Sequence, residues 1–418
     1  MIRSLTIGLP LGQMSQSEIT DKVKKLLSSS SLVLGAKSLS PRTKRFTLPP
    51  LSPNEVIPGA INGTLNWVDT FATDAGVRWF CLPLNLRAPG SSRDILRASM
   101  SALERFPRLF LNLMTSDSTG ISSRGVDAAA RFILDTSKKS ASGYDNFRVG
   151  VSLNCPANAP FFPASRHEGD NVSFSFALET VELVMDVIRS TQGTEKTDLM
   201  TNRDRIIDKL VPKLQQVDKA GREIAEAAGV DYCGLDASLA PFPSENSSVG
   251  AIIEELLGSP VGSEGTVLVT SVLTDAIRES LLQSRVTSVG FNGVMFSVLE
   301  DSVLAAALSR RGITLGSLLS LSAVCGVGID MVPISGLSFP EDVGGVILDA
   351  AGISATLNKP LSVRVLPIPH KLENEMTSFN MDFLCDSRIL GLSAAGGGLS
   401  SSEVPIVLKA PLRGPAQR

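Results

Sequence analysis

The sequence predicts an α/β protein whose strands are buried and largely parallel. Apolar stripes at helical spacing alternate with short apolar runs along most of the chain. The connections between them are short, which favours neighbouring β-α units and right-handed crossovers. Composition agrees: 418 residues, 43% hydrophobic and 19% charged, form an ordinary globular balance with enough length for one large core.

Taken in order, residues 2–9 read as a first strand. Ser15 or Ser17 caps a helix whose apolar stripe is Ile19, Val23, Leu26 and Leu27. Short strands are expected at 32–34 and 43–48, the second stopped by Pro49 and Pro50. A helix over 53–75 ends at Gly76, and 77–84 reads as a buried strand. Then come a helix at 95–106, a strand at 109–114, a helix at 125–134 and a strand at 147–153. A long proline-bearing loop follows, then an amphipathic helix at 174–188, a solvated link at 191–203 and a long helix at 205–228 closed by Gly229. Beyond the strand in 234–243, helices are expected at 249–257, 273–283, 302–310 and 315–321. Strands are expected at 266–270, 287–291, 329–334 and 361–366. No repeat of fixed period occurs. One domain over 1–390 and a glycine-rich excursion with a frayed tail over 391–418 are expected.

Charge and cysteine usage narrow the function classes. A net charge of −3 offers no basic field for nucleic acid or an anionic membrane. No apolar run approaches the roughly 18–20 residues that span a bilayer, and the first residues read as a strand, not a leader. Five dispersed cysteines in apolar contexts suggest reduced, mostly buried thiols and a cytoplasmic protein. Two histidines and no Cys-x-x-Cys pair make a zinc site unexpected. Gly326-x-Gly328 lacks the rest of a dinucleotide fingerprint, and no phosphate-binding Gly-x-x-x-x-Gly-Lys motif occurs. Neither a metal nor a cofactor is expected. The expected partner is a small-molecule substrate, with a homo-oligomer as the one assembly considered.

The leading polar pair is Asp236 and Ser238, two apart in Gly-Leu-Asp-Ala-Ser-Leu-Ala-Pro and therefore on one face of a strand. A buried aspartate tuned by its surroundings can act as general base, and a serine hydroxyl can donate to a developing oxyanion. The bland alternative is that both bond backbone groups at a strand end. His167 and Glu168, in the long loop, form a candidate proton shuttle, or else a surface pair. Cys325 lies in a glycine-bearing turn that would let a backbone approach a ligand; without a cationic neighbour in sequence, it reads chiefly as a structural thiol. Asp330 is a candidate second carboxylate, and Asn292 a candidate contact. Glu300-Asp301 reads as favourable charge at a helix start, with a metal-binding pair as the weaker alternative. His370 reads as a surface residue. Phe161, Phe162 and Phe242 flank the polar candidates and suit a largely hydrocarbon ligand.

Five stretches together resemble one family, the domain-of-unknown-function family numbered 711. They are Ile-Arg-Ser-Leu-Thr-Ile-Gly from residue 2, the motif from 234, and Ser-Val-Gly-Ala-Ile-Ile-Glu-Glu-Leu from 248. Ser-Ala-Val-Cys-Gly-Val-Gly-Ile-Asp-Met-Val-Pro-Ile from 322 and Lys-Pro-Leu-Ser-Val-Arg-Val-Leu-Pro from 359 complete the set. The resemblance implies a large pyruvate formate-lyase-like α/β barrel with loops reaching into its centre. It supplies no activity. The namesake's radical chemistry needs a glycyl radical loop of Arg-Val-x-Gly-Tyr type and paired cysteines, and the chain has neither. The resulting expectation is a cofactor-independent lyase, isomerase or cyclase using acid/base chemistry on a small, partly apolar, carbonyl-bearing metabolite. A small-molecule-binding or regulatory protein without turnover is the alternative.

Overall fold

The structure is a computed structural model that describes residues 1–53, 60–88, 90, 92–190, 198–393 and 404–408. In chain order the first half comprises β1 (Ile2–Gly8), α1 (Gln16–Ala36), β2 (Pro41–Thr47), α2 (Ala60–Asp74), β3 (Trp79–Asn85), α3 (Ser92–Arg105), β4 (Leu109–Asp117), β5 (Gly120–Ile121), α4 (Ser123–Ser137), β6 (Val149–Leu153) and β7 (Ser173–Leu178). The second half comprises α5 (Val181–Arg189), α6 (Leu199–Ala228), β8 (Asp231–Asp236), α7 (Val249–Leu257), α8 (Thr266–Ser284), α9 (Ser302–Ser309), α10 (Leu315–Ser322), β9 (Gly328–Ser335), α11 (Pro340–Leu357) and β10 (Leu361–Ile368). The α/β class is as expected.

Among the described residues one ten-stranded sheet runs in the order β8-β7-β1-β2-β3-β4-β6-β10-β9, with β5 folded back on β4. β1, β2, β3, β4 and β6 lie parallel. β7 turns against β1 and β10 against β6, and each carries a parallel neighbour, β8 and β9 respectively. A central parallel block of five strands is thus flanked by two parallel pairs of the opposite direction, a mixed pattern that apolar runs alone do not reveal. β9 and β10 are buried along their whole length, as strands covered on both faces must be.

The extended segment 287–297 touches both outer strands. Leu235 N donates to Thr287 O at 3.0 Å, Val289 N to Leu235 O at 2.9 Å, and Leu239 N to Gly293 O at 3.1 Å. On its other side Gly326 N donates to Val294 O at 2.7 Å, and Ser297 bridges Asp330 in parallel. Gly293 and Gly326 make that crossing possible: a Cβ on Gly293 would lie 2.8 Å from the Gly326 Cα. The close backbone approach expected at Gly326 is thus made to this segment.

Three sequence expectations are corrected. The run 174–188 is not one helix, because β7 ends at Leu178 and α5 starts at Val181. Phe174, Phe176 and Leu178 alternate with Ser173, Ser175 and Ala177, a period of two masked by burial of both faces. Residues 266–270 are the first turns of α8, not a strand; Val269, Leu273, Ala276 and Ile277 bury one helical face, and packing overrides β-branched propensity. The strand expected at 32–34 belongs to α1. α11 went unanticipated, although Pro340 at its first turn, Glu341 and Asp342 are helix-start signals. Part of the expected helix start before 60, part of the 191–203 link and most of the tail lie outside the described residues.

Caps locate several helix starts. Ser15 makes a capping box with Glu18. Asp301 serves two helices, accepting from Val303 N and Leu304 N at the start of α9 and from Val249 N and Gly250 N at the start of α7. Among the described residues, no helix is long and apolar enough to cross a membrane.

Candidate functional site

A cavity of about 380 Å³ lies inside the fold, against the first residues of β1 to β4 and the interior of β9 and β10. Strand parity supplies its polar wall. Thr43, Arg45 and Thr47 share one face of β2, while Phe46 points the other way and stacks on Phe71 of α2 at 5.1 Å between ring centroids. Arg3 comes from β1, Asp330 from β9 and Arg364 from β10; Glu300 sits in the short turn before α9. Trp79, Phe110, Phe147, Phe161 and Phe162 form much of the apolar wall.

The charges form one network. Arg364 donates from Nε to Asp330 Oδ1 at 2.7 Å and from Nη2 to Asp330 Oδ2 at 2.9 Å. The same Nη2 reaches Glu300 Oε2 at 3.1 Å, and Nη1 donates to Phe147 O at 3.3 Å. Ser297 Oγ donates to Glu300 Oε2 at 2.5 Å, and Arg3 adds a contact to Glu300 Oε1 at 3.4 Å. Arg3 also donates to Pro241 O at 2.7 Å and pairs with Glu179 at 3.6 Å. A register skip after Arg364 places Met331, at φ 51°, in a bulge beside Asp330. Bulges of this kind re-aim a neighbouring side chain.

Environment separates the two carboxyls. Burial raises the pKa of Asp330, and Arg364 does not fully offset it. Burial also pushes Glu300 up, but the charges of Arg364 and Arg3 and the Ser297 hydroxyl outweigh it and hold the group below its ordinary value. The pair titrates as a unit, with burial favouring the neutral form of Asp330 and the surrounding charges favouring the ionised form of Glu300.

Arg45 stands apart. Its Nε donates to Thr43 Oγ1 at 3.2 Å, and its guanidinium lies 5.3 Å from the Trp79 ring centroid and 5.1 Å from that of Phe162. It is 7% exposed. Burial, with Arg3 next, pushes its pKa down to about 9, so it remains a cation at neutral pH.

The residues singled out in sequence divide. Phe161, Phe162, Phe242 and Asp330 line the cavity. Asp236 and Ser238, both 0% exposed, do not. Asp236 accepts from Ser238 Oγ at 2.6 Å, Ser238 N at 3.0 Å, Phe291 N at 2.7 Å and Asn292 N at 3.2 Å, fastening β8 to the 287–297 segment. Asn292 answers by accepting from Ala237 N at 3.0 Å. His167 is buried beside Gly8, with Ser173 Oγ 3.2 Å from Nδ1 and Gly169 O 3.1 Å from Nε2. Glu168 is exposed and pairs with Arg166, so the histidine and its neighbour do not face each other. Cys325 is a fully buried thiol whose carbonyl accepts from Lys359 Nζ at 2.5 Å. Asp301 is a double cap and Glu300 a cavity residue, so the adjacent carboxylates point to different tasks. His370 is exposed and lines no described cavity.

Sequence reasoning missed Arg3, Arg45 and Arg364. A usable signal existed: each sits in a run that otherwise reads as a buried strand. Thr43/Arg45/Thr47 and Ser362/Arg364 place polar residues at alternate positions, as an inner polar face requires.

Fold and site together define an α/β protein with an aromatic-walled, ion-paired internal cavity. The chain belongs to the family described as Uncharacterised ACR (DUF711), which matches residues 1–381. It is similar to a UPF0210 protein of Pyrobaculum arsenaticum, 33% identical over 279 residues, covering 66% of this chain and 60% of that protein. UPF0210 proteins of Pyrobaculum aerophilum and Methanopyrus kandleri are each 30% identical over 281 residues, covering 66% of this chain and 61% of theirs. The matched stretch therefore spans about three fifths of these relatives.

Proposed function

We propose that the chain is an acid/base enzyme of the lyase or isomerase class, cyclases included, acting on a small, partly apolar, carbonyl-bearing metabolite in this cavity. The observation that carries the reading is the Asp330–Arg364–Glu300 cluster on the cavity wall, where one carboxyl is driven up and the other down. Two carboxyls held apart in acidity are the usual basis for assigning proton-transfer roles. Asp330 moves the proton, Glu300 stays ionised, and Arg364 stabilises the enolate-like charge that develops. Asp236 and His167 do not line the cavity and are already hydrogen-bonded, Asp236 to backbone amides and His167 beside Ser173, so the proton is placed on Asp330 instead.

The accompanying fold reading is a closed barrel of pyruvate formate-lyase type. It is supported by the two outer strand pairs, which run in one common direction opposite to the central five, and by the 287–297 segment touching both β8 and β9. It is also supported by the loop after β6, whose carbonyls at Pro160, Pro163 and Ser165 accept from Thr6, Cys81 and Asn112 on three strands.

Binding without turnover is the second reading, favoured by the fact that both carboxyls already accept from Arg364. To separate the two, wild type, Asp330→Asn and Glu300→Gln would be incubated with a metabolite extract and followed by mass spectrometry. Depletion of one metabolite by wild type, lost in folded Asp330→Asn, supports the enzyme. A metabolite that co-purifies unchanged with all three proteins would sink it.

A further inference from the structure

We infer that the ligand of this cavity is a monocarboxylate with an apolar or aryl body, and that Arg45 is the residue that receives its carboxylate. The inference rests on the cavity being the functional site and adds the ligand's charge and the group that reads it.

Arg45 is a buried cation with donors to spare. A guanidinium offers five N–H donors in a planar fork. One is given to Thr43, and no described residue accepts from the two terminal nitrogens. Among the described residues no carboxylate lies within ion-pair distance of it, Glu300 acting only from further off, although it is only 7% exposed and lines the cavity. The other two inner arginines are committed: Arg3 to Glu179 and Glu300, Arg364 to Asp330 and Glu300. A buried charge without a partner is costly, and an anion entering the cavity removes that cost.

The surroundings define the anion. One uncommitted guanidinium balances one negative charge, which favours a carboxylate over a phosphate dianion. A carboxylate's two oxygens match the terminal nitrogens in bidentate fashion. Trp79 and Phe162 flank the guanidinium and hold its plane. Beyond it, Phe110, Phe147, Phe161 and Phe291 offer apolar surface to the rest of the ligand. A volume of about 380 Å³ is near the small end of ligand cavities, which span roughly 300–1,000 Å³. Arg78 is exposed at the cavity's edge, where it attracts an incoming anion. Arg42 beside it is already paired with Glu179 at 2.9 Å, and Asp382 adds an exposed carboxylate to the same edge.

The test is calorimetric titration of the full chain with three matched pairs: benzoate and benzamide, phenylacetate and phenylacetamide, 4-methylpentanoate and its amide. Inorganic phosphate is the further arm. At least one carboxylate should bind roughly tenfold or more tightly than its amide, the difference expected for charge-assisted hydrogen bonds to a buried cation. Folded Arg45→Gln should abolish that preference, and Arg45→Lys should restore part of it. The inference is overturned if no carboxylate binds, if wild type takes amide and acid alike, if Arg45→Gln keeps the preference, or if phosphate binds more tightly than every carboxylate. The comparison of acid with amide on wild type decides the ligand's charge even where Arg45→Gln misfolds, and Arg45→Lys then decides whether Arg45 reads it: an unchanged acid-to-amide ratio in folded Arg45→Lys overturns that assignment. Carboxylate preference without any turnover leaves this inference standing and removes the enzymatic reading; turnover of neutral substrates without the preference does the reverse.

Discussion

Arg364 holds Asp330 with two nitrogens, at 2.7 and 2.9 Å, and reaches Glu300 with one of the same two at 3.1 Å. Both carboxyls are buried, so the guanidinium is what makes their burial tolerable. Removing it should be far worse than removing the pair. We expect Arg364→Met to lower unfolding free energy by about 3–5 kcal/mol at pH 7, the usual loss for a broken buried ion pair. The double variant Arg364→Met/Asp330→Leu should recover a good part of that loss. Urea unfolding of the three proteins checks this; a double variant weaker than the single would contradict it.

Asp236 supplies the second prediction. Two of its four acceptor contacts join β8 to the backbone at 291–292, and the other two hold Ser238. Asp236→Ala leaves buried N–H groups without a partner, at roughly 1–3 kcal/mol each before relaxation. A total loss of about 3 kcal/mol or more is expected in chemical denaturation. Unchanged stability with turnover abolished would return this carboxylate to a catalytic role.

A third prediction compares caps. Asp301 caps α7 and α9 together, whereas Thr314 caps α10 alone. An ordinary cap is worth about 1 kcal/mol. Thr314→Ala should fall near that value, and Asp301→Ala should cost at least twice as much. Equal midpoints in parallel thermal melts would contradict the shared cap.

His167 gives a pH dependence. Burial lowers its pKa below the ordinary 6.5, with the Gly169 carbonyl only partly compensating. The unfolded chain therefore takes up a proton before the folded one does. Stability from this group is intact above pH 6.5 and declines as pH falls from there toward the lowered folded value, with a slope of up to about 1.4 kcal/mol per pH unit. His167→Gln should flatten the difference between melts at pH 7.5 and pH 5.5. An identical pH response in the variant would locate the effect elsewhere.

Helix ends and strand existence were largely legible because they depend on local signals. Ser15 and Gly229 stand at helix ends for reasons visible within a few residues. The break between β7 and α5 was not, because Phe174 to Ile188 is apolar enough to satisfy either period, and only pairing with β1 decides it. The site was half legible. Phenylalanines and Asp330 stood out by their setting, but Arg45 owes its role to partners that arrive from β3 and from the loop after β6. Asp236 showed the converse: a polar pair on one face looked like chemistry, and its partners, some 55 residues away in sequence, turned out to be backbone amides.

The 287–297 segment lies along both β8 and β9, the strands that would otherwise end the sheet. Bare strand edges are where chains add to one another and aggregate. Here a single irregular stretch shields two edges at once, and its passage depends on Gly293 meeting Gly326 backbone to backbone. A side chain at either glycine would thus loosen more than a local turn: it would open both flanks together and convert a packing defect into a tendency to self-associate.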